Sequence, residues 1–386
     1  MATIKRYKNS SGDTRYEIFV SAGTDELTGK KRRIHKRGFR DKKEAALAAS
    51  RFTLDADAGS LSTNRSMTFK AVYLEWDAAY KNTVRESTYE RTYIQVKKHV
   101  LPLFGNKPIN KITTAQLQQA VNQWSKQVTR NYRRWLTTTS RILRFALRRG
   151  YINKNPADLV IIPKEKEQIG DVAANFWDKQ ELTRFFSYID AKQEPQKTAL
   201  FRILAFGGIR RGECLALTWK DISFTDSTIT VNKTLSQGMN GRQLVQPPKT
   251  RKSRRTITMD SKTMSALKHW RLVQLQKYMA LGFNANKPDQ LVFSNSKNKH
   301  LLLHKPADWL KSIEDTHKIE HRITIHGFRH SHASALFSAG ATVKEVQERL
   351  GHSDVKTTLN IYTHVTKNQN KEACLLYTSP SPRDVE

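Results

Sequence analysis

Residues 14–23, TRYEIFVSAG, alternate Tyr16, Ile18 and Val20 with mostly polar neighbours. A period of two marks a strand with one buried face. A turn at Gly29 and the returning segment RRIHKRGF predict its partner, so the first segment reads as three short strands followed by a helix. That helix is DKKEAALAASRFTLDADAG, with Asp41 as its N-cap and Glu44 three residues on. Past a polar linker at 59–66 the period lengthens to that of helices. TFKAVYLEWDAAYKN puts Phe69, Val72, Tyr73, Trp76 and Tyr80 on one face. STYERTYIQVKKHVLPLFG is expected to stop at Pro102 and Gly105, TTAQLQQAVNQWSKQ to start from Thr113 or Thr114, and RNYRRWLTTTSRILRFALRRG to end at Gly150. The apolar stripes of these four helices predict a packed core. NKNPADLVIIPKEKEQIG, with Pro156 and Pro163, predicts an interdomain linker. From Phe176 the pattern is mixed: helices, strand-like STITVNKTL and RRTITM, then helices again.

Charge changes this picture. Lys and Arg number 67 against 35 Asp and Glu, a formal +32 over 386 residues. Such an excess attracts polyanions, and DNA or RNA is the first expectation. An acidic membrane surface is disfavoured, since no basic amphipathic helix, lipidation motif or apolar run of about 20 residues stands out. No secretory signal is visible at MATIKRYKNS, so a cytoplasmic protein is expected. Cys214 and Cys374 alone make neither a disulfide framework nor a cysteine zinc site. CLLYTSPSPRD, from Cys374, reads like a translated sequencing adapter, so residues 374–386 are expected to be a non-native tail.

The cations cluster. Lys30, Lys31, Arg32, Arg33, Lys36 and Arg37 crowd the first sheet, where a phosphate-facing surface competes with a merely solvated one. Arg130, Arg133 and Arg134 lie between apolar stripes and could follow a DNA backbone. In AFGGIRRGECLALTW a helix runs into Gly207 and Gly208, and Arg210 sits where the next one starts. Arg210 with Glu213 is either a surface ion pair or a phosphate fork on a helix-entry turn. QPPKTRKSRRTITM predicts Lys249 at the tip of a β-hairpin, with Arg251, Lys252, Arg254 and Arg255 ready to clamp a backbone; a solvated basic loop is the plainer alternative.

ITIHGFRHSHASALFSAG predicts a helix with Phe328, Ala335, Leu336 and Ala339 on its apolar face and Gly340 at its end. His326 and His330 have the spacing of helical zinc ligands, but Gly327 follows His326 where a zinc helix would carry Glu, and Arg329 would lie beside the ion. Core packing and anion binding remain open for the same residues. TVKEVQERLGH carries a capping box, Thr342 with Glu345, a buried face of Val343, Val346 and Leu350, and His352 just past Gly351. Tyr362 follows on a last helix beside Leu359, Ile361 and Val365. Two arginines, a lysine, two histidines and a tyrosine suit in-line attack on a phosphodiester, because preorganised cations stabilise the charge that builds on pentacovalent phosphorus.

In this order the motifs resemble those of the tyrosine recombinases of the phage integrase family. GIRRGE matches the family's first arginine motif at Arg210, and Lys249 matches its β-hairpin lysine. HGFRH matches its second box at His326 and Arg329, LGH matches at His352, and the nucleophile matches Tyr362. Ile209 and Phe328 stand where the family has leucine. The resemblance implies a mixed α+β, multidomain chain. Residues 1–60 would be an arm-type DNA-binding domain of three strands plus a helix, and 66–160 a four-helix core-binding domain. Residues 173–370 would be a mostly helical catalytic domain with a small antiparallel sheet. It implies a site-specific recombinase that integrates or excises a mobile element through a 3′-phosphotyrosine, without metal or cofactor. The implied partners are double-stranded DNA attachment sites, a homotetramer on DNA, an excisionase and a host DNA-bending protein, in the nucleoid of a bacterial cytoplasm. A metal-dependent nuclease and a catalytically inactive DNA-binding regulator are the competing readings.

Overall fold

The computed structural model describes residues 2–24, 31–57, 67–164, 175–248, 253–359 and 361–363, with 22–24, 31, 32 and 55–57 described by backbone alone. The expectations for Lys30, Lys249, Arg251, Lys252, Gly29 and the tail from Cys374 lie outside the described residues, as do the side chains of Lys31 and Arg32. The chain divides into two compact units, Met1–Glu167 and Gln168–Glu386.

The first unit holds two separate hydrophobic cores. Strands β1 (Ala2–Lys8), β2 (Thr14–Thr24) and β3 (Lys31–Phe39) form an antiparallel sheet in that order. Helix α1 (Lys42–Asp57) covers one face through Ala45 and Ala49, packed on Ile18 and Val20. Asp41 Oδ1 accepts from the Glu44 amide at 2.7 Å, and the Glu44 carboxylate accepts in return from the Arg40 amide at 2.9 Å. The register places Lys5, Glu17 and Arg37 in one row and Phe19 with His35 in the next, on the face away from α1. Arg33, opposite Ser21, shares that face, whereas Lys36 pairs with Ile18 on the helix side.

The second core is helical: α2 (Phe69–Tyr80), α3 (Glu86–Gln95), α4 (Leu101–Phe104), α5 (Thr114–Gln127) and α6 (Asn131–Arg148). Phe69, Val72, Tyr73 and Trp76 are buried as their spacing predicts. Thr113, not Thr114, caps α5, in a reciprocal box with Gln116. The chain does not stop at Pro102. A π turn, Val96–Val100, hands α3 to α4, and Pro102 falls in the first turn of α4. Arg130, Arg133 and Arg134 are all exposed, but Arg133 is engaged with the Tyr132 hydroxyl and the Pro163 carbonyl.

The second unit comprises α7 (Lys179–Ser187), α8 (Pro195–Gly207), α9 (Arg211–Leu215), β4 (Ile222–Ser223), β5 (Thr228–Val231), β6 (Thr234–Gln237), β7 (Gln243–Gln246), β8 (Arg255–Thr258), α10 (Ser261–Ala280), α11 (Lys305–Thr316), α12 (Gly327–Ser338) and α13 (Val343–Leu350). Residues 355–359 and 361–363 are helical as well. The strands sort into two antiparallel sheets, β4-β5-β8 and β6-β7. The simple hairpin expected around Lys249 is therefore replaced: the strands on either side of it, β7 and β8, belong to different sheets. Ile229 and Ile257 pair across β5 and β8 over the main core, so burial selects that partner for β8. Among the described residues, no helix is long and apolar enough to cross a membrane.

Candidate active site

Helix α13 ends in a left-handed glycine, Gly351 (φ 68°), so its last carbonyls have no partner within the helix. Three consecutive ones accept from three arginines. The Arg349 carbonyl takes Arg255 Nε at 2.9 Å, the Leu350 carbonyl takes Arg329 Nη2 at 2.7 Å, and the Gly351 carbonyl takes Arg210 Nη2 at 3.2 Å. The negative end of the helix dipole favours cations there. One short helix end thus gathers guanidiniums from α12, from β8 and from the turn before α9.

A second glycine sets the other side. Gly208 caps α8 at φ 60°, and its carbonyl accepts from Arg329 Nη1 at 2.8 Å. A Cβ at Gly208 would lie 2.5 Å from the His332 ring and 2.8 Å from Leu350, so no other residue fits. Arg210 is the N-cap of α9, and its amide donates to Glu213 Oε2 at 3.0 Å. Glu213 Oε1 accepts from Arg210 Nη1 at 2.8 Å, and Oε2 from Arg255 Nη2 at 2.9 Å. Burial pushes the Glu213 carboxyl up, but Arg255 and then Arg210 outweigh it and hold the group below the ordinary carboxylate range.

Arg329 is only 1% exposed. Its bonded partners are carbonyls, and its buried Nε has no hydrogen-bond partner among the described residues. Burial, then Arg210 and Arg255, lower its pKa to about 9, so it stays charged at neutral pH. This corrects the apolar face expected for α12. Ala335 and Ala339 are exposed, and the buried face is Phe328, Arg329, Ser331, His332, Ala333 and Phe337. Its polar members have partners: the Ser331 hydroxyl accepts from the Trp177 amide, and His332 Nε2 accepts from Arg349 Nε at 2.9 Å.

Burial first, and the surrounding positive charge second, keep the nearby imidazoles neutral. Burial, then His330, Arg329 and Arg210, push His326 down to about 4, although part of its ring meets solvent. Burial, then Arg329 and Arg210, push His352 down to about 3. Burial and Arg349 do the same for His332, also to about 3. His326 and His330 pack ring to ring at right angles, 4.8 Å between centroids. Among the described residues, no group of three or more His, Cys, Asp or Glu is arranged to hold a metal.

Acid sensitivity follows. Unfolded histidines bind protons near pH 6.5, while these folded ones resist until about pH 4 or 3. The unfolded chain therefore binds more protons in that window, and stability is lost as pH falls through it. The urea midpoint of the second unit is expected to drop between pH 6.5 and about 4; an unchanged midpoint would contradict the burial of these rings.

Arg210, His326, Arg329 and His352 thus converge in one cluster. Tyr362 is 40% exposed and packs edge-on against Phe337 at 5.1 Å, beside buried Ile361. Arg255 was not singled out from its basic run. It is nearly buried and bonds Glu213, the Arg349 carbonyl and the Ser253 carbonyl, instead of standing at a hairpin tip. Only its place as the first residue of an alternating strand hinted at this.

Comparison with known proteins agrees with the geometry. The model of the Phage integrase family matches residues 175–369, just over half of the chain. A phage integrase N-terminal SAM-like domain matches 68–125, and an arm DNA-binding domain matches 5–56. The ICEBs1 integrase of Bacillus subtilis (strain 168) is 27% identical over 377 residues, 96% of this chain and 97% of that one. A XerC-like tyrosine recombinase of Caldanaerobacter subterraneus is 26% identical over 317 residues, 78% of this chain and 76% of its own. The fold matches a lambda integrase tetramer bound to a Holliday junction, with TM-score 0.58 and 15% identity over 92% of this chain and 94% of that one. The chain belongs to the phage integrase family and is a site-specific recombinase of the tyrosine type.

Proposed function

We propose that this recombinase integrates or excises a mobile element by cutting and rejoining duplex DNA through a 3′-phosphotyrosine at Tyr362. The observation that carries the reading is the charge balance of the cluster. Arg210 and Arg255 share one buried carboxylate, Glu213, and Arg329 lies in the same field; among the described residues the buried Arg329 Nε has no hydrogen-bond partner. Such a cluster is completed by an anion, and a phosphodiester passing through a pentacovalent state gains most from it.

In this mechanism the Tyr362 oxygen attacks phosphorus and the bond to the 5′-oxygen breaks. Neutral His326 takes or orients the phenolic proton, and Lys249 returns a proton to the leaving 5′-hydroxyl. Arg210 and Arg329 hold the non-bridging oxygens, with His352 as a further donor. A 5′-hydroxyl from the partner strand then reverses the step. One phosphodiester replaces another, so neither ATP nor a metal is called for.

Residues 173–370 would carry this chemistry, 66–160 the core-site contacts, and 1–60 the arm-site contacts. Within the last, Lys5, Arg33 and Arg37 share the sheet face that α1 leaves open. The related lambda integrase is a tetramer on a Holliday junction, which supports a tetramer on paired attachment sites here. An excisionase and a host bending protein would set direction.

The test is a nicked substrate built from DNA flanking the gene, from which the freed strand diffuses away. The expected product is a denaturant-resistant protein–DNA adduct whose protease-resistant peptide contains Tyr362. Cleavage that needs an added divalent metal and leaves no adduct would overturn the reading.

A further inference from the structure

His352 is held from two sides. Its amide donates to the Gln347 carbonyl at 3.1 Å, and its carbonyl accepts from Gln347 Nε2 at 3.1 Å. Its ring is held at Nδ1, 2.9 Å from the hydroxyl of Thr358, a residue with no exposed surface. Among the described residues that ring is the one side chain bonded to the Thr358 hydroxyl.

A neutral imidazole carries one N–H and one lone pair, so whatever occupies Nδ1 decides what Nε2 can do. A carboxylate or carbonyl at Nδ1 would demand a proton there and leave Nε2 as a bare acceptor. A lone pair facing a phosphate oxygen repels it. A hydroxyl can donate instead, and the buried ring stays uncharged, so a second ring proton is not an alternative source of the donor.

We propose that Thr358 donates its hydroxyl proton to Nδ1 of His352 and thereby keeps Nε2–H as the donor aimed at the scissile phosphate. Thr358 is then a positioning residue acting through His352. The inference rests on the reading of His352 as a phosphate donor, and nothing in the local sequence singles out this threonine from its neighbour Thr357.

Adduct formation on the nicked substrate tests it in four proteins: the parent, Thr358→Val, Thr358→Ser, and Thr358→Val combined with His352→Ala. Partners that fix a histidine's tautomer from behind are worth roughly 10- to 100-fold where the histidine binds a metal, and a loss of that size is expected for Thr358→Val. Thr358→Ser restores most of the rate. In the His352→Ala background Thr358→Val adds no further loss, which a merely structural threonine would. The nitrogen-15 shifts of the His352 ring, read without DNA, should show a protonated Nε2 in the parent and in Thr358→Ser. Thr358→Val at the parent rate, an equal loss in both backgrounds, or a protonated Nδ1 in the parent overturns the proposal. A parent that makes no adduct counts against the recombination chemistry instead, and the ring shifts then decide the tautomer alone.

Discussion

Tyr362→Phe is expected to abolish the covalent adduct completely while leaving DNA binding intact. The substitution removes one oxygen and keeps the ring. The edge-on contact with Phe337 at 5.1 Å and the packing of Ile361 beside it are ring and methyl contacts, which phenylalanine reproduces. Loss of the adduct would therefore be loss of the nucleophile, not of the fold. Water cannot substitute for it in this reaction, because hydrolysis leaves no bond to the protein. A binding titration and an adduct gel on the same preparation separate the two effects. An adduct formed at the parent rate by Tyr362→Phe would remove this tyrosine from the chemistry.

Glu213→Gln carries the largest expected stability loss. The carboxylate is 4% exposed and joins two guanidiniums, Arg210 and Arg255. Removing the anionic partner of a buried pair leaves the cations uncompensated and costs about 3–5 kcal/mol. Glutamine has nearly the same shape, so packing is preserved, and the change removes the charge together with one of the two accepting oxygens. Arg329 lies in the same field and gains from the Glu213 charge as well. The urea transition of the second unit, assigned by hydrogen exchange, should move to lower concentration with an unchanged slope. If the transition does not move, the pairing of Glu213 does not hold this site together.

Much of the molecule was legible because it is written locally. The caps at Asp41, Thr113 and Thr342 each pair with a residue three positions on, within reach of a single turn. The stripe from Phe69 to Trp76 is buried because helical spacing alone puts those side chains on one side. Motif order was equally readable: Arg210, His326, Arg329, His352 and Tyr362 stand in matchable strings. Local reading failed where a residue's partner is distant. Arg255 looked like one more cation of a basic loop, because its carboxylate lies 42 residues away and its carbonyl 94. The apolar face read for α12 left out Arg329 and His332, yet both are buried among partners that periodicity cannot see.

The amino-acid sequence by itself determined the helices, their caps, the basic charge of the chain and the identities of the chemistry-bearing residues, since those depend on spacing and composition over a few turns. Tertiary structure alone decided that the end of α13 would offer its carbonyls to arginines 21, 94 and 141 residues away. It also decided that β8 would leave β7 for β5. Hydrogen bonds between distant segments depend on where the packed cores bring the chain back, and only burial of both cations and carbonyls makes those pairings obligatory.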